Sequence, residues 1–188
     1  GFTFLDLTDE MKKIMTHWKS LNLRFDAIYS GFLGNAAQID TVSTAIRDFP
    51  DMNAVIMVDP VMGDNGEIYK TYTPEMCAGM HRLCENAHII TPNLTEACIL
   101  GDIPYNSAMT CEDAGRLAQA LSSAGPARVV ITGIEHAGQV SNVCFERGQA
   151  PFTVQTAKLG GQRSGTGDVF SAILIADAVN GVPLEKSV

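Results

Sequence analysis

A chain of 188 residues, 46% hydrophobic and 18% charged, with 17 Gly and 8 Pro, is long enough for one domain with its own core, and its composition excludes disorder and collagen-like repeats. Thirteen Lys and Arg against 21 Asp and Glu leave a formal charge of −8, which disfavours non-specific binding to nucleic acid or to an anionic membrane. An anionic ligand is still permitted, because backbone N–H groups at a helix start can bind phosphate inside an acidic protein. The five cysteines, at positions 77, 84, 98, 111 and 144, contain no Cys-x-x-Cys pair. Neither a disulfide framework nor a structural zinc site is expected, and the pattern reads as cytoplasmic. No apolar run is long enough to span a membrane, and no signal-peptide pattern opens the chain.

Residues 8–22 carry Met11, Ile14, Met15 and Trp18 at helical spacing. Asp26-Ala-Ile-Tyr-Ser30 predicts a short strand running into Gly31 and Gly34. Ile39, Val42, Ile46 and Phe49 predict a second helix, ended by a turn at Pro50-Asp51. Residues 54–58 are a continuous apolar run, the pattern of a strand covered on both faces and hence of a parallel sheet. The same texture recurs at 88–90 and 128–132, with helices predicted near 74–86, 93–101 and 111–123. Residues 139–145 and 152–156 read as an antiparallel edge hairpin. A Gly-rich stretch over 160–167 leads into an apolar helix near 166–180, which Gly181 can cap, and Pro183 opens a further helix. The alternation predicts an α/β fold: one domain over residues 1–188, with a doubly wound, mostly parallel sheet flanked by helices and an antiparallel edge hairpin.

Four polar clusters fall at predicted strand ends, where open parallel sheets bind ligands. Asp59-Pro-Val-Met-Gly63-Asp64-Asn65-Gly66 offers two carboxylates on a Gly-containing loop, able to hold a hard cation; its Asp-Asn-Gly run reads equally as a turn. Thr91-Pro92-Asn93-Leu-Thr95-Glu96 places Asn93 and Glu96 at a helix start. There they can orient a hydrated metal or simply cap the helix. Thr132-Gly133 ends a third strand. Gly165-Thr166-Gly167-Asp168 opens the apolar helix, where unpaired N–H groups and the dipole favour a phosphoryl group. Gly160, Gly161 and Arg163 just upstream strengthen that reading. Neither a P-loop nor a dinucleotide fingerprint nor a Gly-x-Ser-x-Gly elbow occurs.

Together, Ser30-Gly-Phe-Leu-Gly34, Val58-Asp-Pro-Val-Met-Gly-Asp64, Ile90-Thr-Pro-Asn-Leu-Thr-Glu96, Val130-Ile-Thr-Gly133 and Gly165-Thr-Gly-Asp168 resemble the ribokinase superfamily, and within it the pyridoxal kinases. The resemblance implies ATP-dependent phosphorylation of the 5′-hydroxymethyl of pyridoxal, pyridoxine or pyridoxamine. It implies Asp168 as general base at the substrate hydroxyl, and Gly165, Thr166 and Gly167 as the anion hole. Asp59, Asp64, Asn93 and Glu96 would organise Mg²⁺ and its waters, with Asp59, Asp64 and Glu96 as the metal-side carboxylates. Thr91, Thr132 and Gly133 would line the nucleotide, and Phe32 and Val61 the substrate ring. A monovalent cation such as K⁺, a homodimer, and no nucleic-acid or membrane partner are further expectations. Residues 63–75 would form a mobile flap that excludes water. Hydroxymethylpyrimidine kinases share both middle motifs and are the alternative; they usually carry Cys where Asp168 stands and lack the Gly-Asp-Asn-Gly continuation. A non-catalytic nucleotide- or vitamin-binding fragment is the alternative of another class. Two departures stand out. Phe32 occupies a position where Tyr is usual, and the family's N-terminal portion and extreme C-terminus are expected to be missing.

Overall fold

The computed structural model describes residues 3–161 and 165–188. Arg163, with Gln162 and Ser164, lies outside the described residues. The first half runs α1 (Thr8–Ser20), β1 (Phe25–Ser30), α2 (Ala36–Asp48), β2 (Pro50–Val58), the short pair β3 (Gly63–Asp64) and β4 (Glu67–Ile68), then α3 (Pro74–Glu85). The second half runs β5 (Ile89–Ile90), α4 (Leu94–Leu100), α5 (Cys111–Ser123), β6 (Arg128–His136), β7 (Gln139–Glu146), β8 (Phe152–Ala157), α6 (Thr166–Val179) and α7 (Leu184–Ser187).

Six strands form one sheet in the order β1-β2-β5-β6-β7-β8. The first four are parallel to one another, and the last two pair antiparallel. The central strands bury both faces, as their unbroken apolar runs require. Ile56, Val58, Ile90, Val129 and Ile131 point to one side, where they pack with Met80 and Leu83 of α3, Ala97 of α4 and Leu117 of α5. Met57, Ile89 and Val130 point to the other, against Leu174 of α6 and Leu184 of α7. The period-two alternation thus separates two cores on opposite faces of one sheet. Each fully buried Leu, Ile or Met contributes about 1.5–3 kcal/mol.

Two predicted boundaries move. Pro50 does not form a turn; it opens β2 and pairs with Phe25, whose N–H donates to Phe49 O at 3.0 Å. The helix before it already ends at Phe49, and Pro at the first residue of a strand forfeits no ladder bond. Likewise β6 does not stop at Thr132. It continues to His136 across an irregularity between Ile131 and Ile134, because β7 supplies an antiparallel partner beyond the parallel part of the strand. The predicted hairpin of 139–145 and 152–156 is therefore the outer part of a three-stranded antiparallel edge.

Helix starts follow their capping residues. Asn35, Thr73, Asn93 and Thr110 each accept a backbone N–H of the first turn. Asp6 links the first two helices, accepting from Thr8 N at 2.8 Å and from Asn35 Nδ2 at 2.8 Å. Among the described residues, no helix is long and apolar enough to cross a membrane.

Candidate active site

The carboxyl ends of β1, β2, β5 and β6 form a stepped row. Asp59 N donates to Ser30 O at 2.8 Å, Thr91 N to Val58 O at 3.2 Å, and Thr132 N to Pro92 O at 2.9 Å. Asn93 and Thr132 form an isolated parallel bridge. Asp59, Thr91, Asn93 and Thr132 are thereby brought along one edge, as expected of an open parallel sheet. The N-terminus of α6 faces that edge, with Gly167 packed close to Asp59 Oδ2.

The α6 start is opened by a glycine. Gly165, the N-cap, sits at φ +85°, a conformation glycine takes without steric penalty, and it has no side chain of its own to cap the first turn. Asp168 lies in the first turn and is exposed. Its Oδ1 is 3.5 Å from Tyr29 Oη. Asp59, by contrast, is only 9% exposed. Burial, reinforced by the charge of Asp168, pushes its carboxyl up to about 7, while the nearby Thr91 and Tyr29 hydroxyls pull it back down. Among the described residues neither Asp59 nor Asp168 has an ion-pair partner. Thr91 Oγ1 lies 3.4 Å from Ser171 Oγ, one turn along α6 from Asp168. The phenol of Tyr29 is pushed up to about 12 by burial and by Asp59, so it remains a proton donor at neutral pH.

Asn93 and Glu96 are engaged elsewhere. They form a capping box: Glu96 N donates to Asn93 Oδ1 at 2.9 Å, and Asn93 N donates to Glu96 Oε2 at 2.8 Å. The other oxygen of Glu96 accepts from Met62 N at 3.1 Å, and Asn93 Nδ2 donates to Gly63 O at 2.8 Å. The pair clamps the 59–64 loop onto α4. Burial pushes the Glu96 carboxyl up to about 8, against the donors that surround it. Asp64 is exposed and accepts from Asn65 N and Nδ2. Asp59, Asp64 and Glu96 therefore do not close on one point. Among the described residues, no three His, Cys, Asp or Glu side chains form a group that could hold a metal ion.

Phe32 is exposed and Val61 half-buried; the Phe32 ring is tilted against Tyr72, with centroids 6.3 Å apart. The loop after Asp64 turns back through Asn65 (φ 51°) and Gly66 (φ 82°), the two-residue turn that joins β3 to β4. Gly66 N donates to Thr95 Oγ1 at 2.9 Å, so the turn at the tip of the expected flap is tied to α4. Tyr29 and Ser171 were not signalled by any motif, and Thr95, inside the 91–96 motif, was not given this tie to the loop. Only the i, i+3 spacing from Asp168 on one helix face could have pointed to Ser171.

Comparison with known proteins places this geometry in a family. The phosphomethylpyrimidine kinase family matches residues 10–188. An Arabidopsis thaliana pyridoxal kinase is 33% identical over 163 residues, covering 81% of this chain and 50% of that protein. A Haemophilus influenzae hydroxymethylpyrimidine/phosphomethylpyrimidine kinase is 31% identical, covering 84% of this chain and 59% of that protein. Among solved structures, a Bacteroides thetaiotaomicron protein assigned to phosphomethylpyrimidine kinase, crystallised with pyridoxal, superposes with a TM-score of 0.93 at 39% identity, covering 100% of this chain and 67% of that one. Lactobacillus plantarum pyridoxal kinase superposes with a TM-score of 0.88 at 27% identity, over 100% of this chain and 67% of that one. The chain spans about half the length of the curated relatives it matches. Its mixed sheet with helices on both faces is the ribokinase-like α/β fold, and the chain belongs to the phosphomethylpyrimidine kinase family.

Proposed function

We propose that this chain carries the phosphoryl-transfer site of an ATP-dependent kinase acting on the 5′-hydroxymethyl group of a B6 vitamer. The observation that carries the reading is one turn of helix. At the start of α6 the exposed Asp168 carboxylate and a Gly165-opened N-terminus stand together, facing Asp59 across the strand ends. Phosphoryl transfer asks a protein for positioning and charge stabilisation more than for covalent chemistry. Asp168 takes the proton of the attacking hydroxyl, and the first-turn N–H groups of Thr166 and Gly167 stabilise charge on the transferring group. Thr91, Thr132 and Gly133 lie along the nucleotide side, and Phe32 and Val61 on the acceptor side.

A nearly buried carboxylate with no cationic partner among the described residues, as at Asp59, fits a hard divalent cation held mainly by phosphate oxygens and water. Bound there, Mg²⁺ would neutralise charge on the phosphates. Asp59 is the carboxylate placed for it; Glu96 serves by holding the 59–64 loop in place.

The choice of pyridoxal rests on the pyridoxal kinases among the relatives and on the pyridoxal-containing Bacteroides structure. The second reading, a hydroxymethylpyrimidine kinase, is favoured by the name of the family and by the Haemophilus relative. ADP release with Mg·ATP, with pyridoxal and hydroxymethylpyrimidine in competition, separates the two. Asp168→Asn should cut pyridoxal-dependent release by about 100-fold or more while leaving the ATP-induced thermal shift in place. Release that survives the substitution would remove Asp168 from the role of base. A homodimer is part of the same proposal, and sedimentation tests it.

A further inference from the structure

We propose that Tyr29 is a positioning residue for Asp168, its hydroxyl donating to Oδ1 and leaving the second carboxylate oxygen to meet the acceptor alcohol. The inference rests on the phosphotransferase reading above and deepens it.

Tyr29 lies on β1, on the face turned toward α6, and its ring packs on the core formed there by Met57, Val130 and Leu174. The ring is thus held by the scaffold, while the hydroxyl reaches the site. Its oxygen is 3.5 Å from Asp168 Oδ1, a long contact of the kind that tightens when a substrate complex closes. Asp59 stands near enough for its charge to raise the same phenol, and Ser171 stands beside it one turn farther along α6. Thr91, which holds the Asp59 carboxyl down, lies 3.4 Å from Ser171 Oγ. Two carboxylates and three hydroxyls from β1, α6 and the ends of β2 and β5 therefore gather in one cluster, and Tyr29 is the member within hydrogen-bond distance of Asp168. Gly31 leaves the space for this: a Cβ there would stand 3.2 Å from Tyr29 Oη and 3.8 Å from Asp168 Oδ1. A carboxylate on an exposed first turn has free torsions, and a single well-placed donor removes the wrong ones.

The test is Tyr29→Phe in the full chain, beside Asp168→Asn and the double variant. The ring is kept, so packing is preserved and the melting temperature should stay within a degree or two. A positioning role predicts a 5- to 30-fold loss of kcat, KM values for ATP and acceptor within twofold of wild type, and no further loss when Tyr29→Phe is added to Asp168→Asn. An unchanged kcat, or a full additional loss on the Asp168→Asn background, overturns it. If the unsubstituted chain transfers no phosphate to any hydroxymethyl acceptor, it is the phosphotransferase reading that has failed. The contact is then read from the ¹³C carboxyl resonance of Asp168. A displaced resonance in Tyr29→Phe upholds the positioning contact, and an unmoved one rejects it.

Discussion

Glu96 and Met62 are joined by a buried hydrogen bond, the N–H of Met62 donating to Glu96 Oε1 at 3.1 Å from a carboxylate that is only 3% exposed. With its other oxygen Glu96 accepts from Asn93 N, so one side chain fixes both the loop that carries Asp59 and the start of α4. Glu96→Ala leaves these donors unpaired in the interior. The expected loss is about 2–4 kcal/mol, read as a lowered urea midpoint with little change in slope. Glu96→Gln keeps an acceptor and should lose about 1 kcal/mol. Equal losses for the two variants would mean that the clamp is unimportant.

Asp59 makes stability depend on pH in a definite direction. Its folded carboxyl is raised from the usual 3.8 to about 7, mainly by burial and then by the charge of Asp168. The folded protein therefore holds a proton that the unfolded chain releases. That contribution is fully present below about pH 4 and is lost as pH rises through about 7. The metal-free, nucleotide-free protein should lose about 1–3 kcal/mol between pH 5 and pH 8 from this group. Asp59→Asn should flatten the profile and raise the melting temperature at pH 8. A profile identical to wild type in that variant would show that Asp59 does not carry the dependence.

Gly66 is held at φ +82°, and a Cβ added there would stand 2.6 Å from Tyr105 Cδ1. Gly66→Ala meets both a backbone and a side-chain penalty, together about 1–3 kcal/mol. It should also loosen the turn that Thr95 anchors. Adding Tyr105→Ala removes the clash but not the backbone penalty. The double variant should recover part of the loss attributable to Gly66→Ala, measured against Tyr105→Ala alone. Thermal denaturation of the four proteins checks it.

Ala137, at φ 49°, occupies the first position of the two-residue turn between β6 and β7, followed by Gly138 at φ 78°. Both positions need a left-handed backbone, which Asn and Gly tolerate far better than Ala. Ala137→Asn should stabilise the protein by about 0.5–1 kcal/mol with no effect on activity, since the turn lies beyond the strand-end row. A decrease in stability would mean that the turn adopts another conformation in solution.

The architecture was legible wherever one periodicity dominated. Residues 54–58 and 128–132 read as buried parallel strands because both faces are covered, and Ile56 and Met57 do pack into opposite cores. The cap residues Asn93 and Thr110 marked true helix starts. The end of α2 before Pro50 was legible, but the turn expected at Pro50-Asp51 is the start of β2, because a proline that breaks a helix can also open a strand, and only pairing with Phe25 decides between them.

Chain order carried the location of the site. Asp59 and Thr91 follow strand ends, Thr132 ends the parallel part of β6 and Asp168 lies in the first turn of α6, and in a parallel sheet that order places all four at one edge. The division of labour among the carboxylates was not carried by local pattern. Asp59, Asp64, Glu96 and Asp168 look alike in a linear chain, yet one is nearly buried, one serves a turn, one clamps a loop and one stands exposed at a helix start. Tyr29 entered the site only because the strand's alternation aims it across to α6, 139 positions later in the chain. Local pattern determines which face and which edge a residue occupies, but a carboxylate's charge, partners and freedom depend on groups brought to it from distant segments. Those are settled when the sheet closes and α6 packs against it.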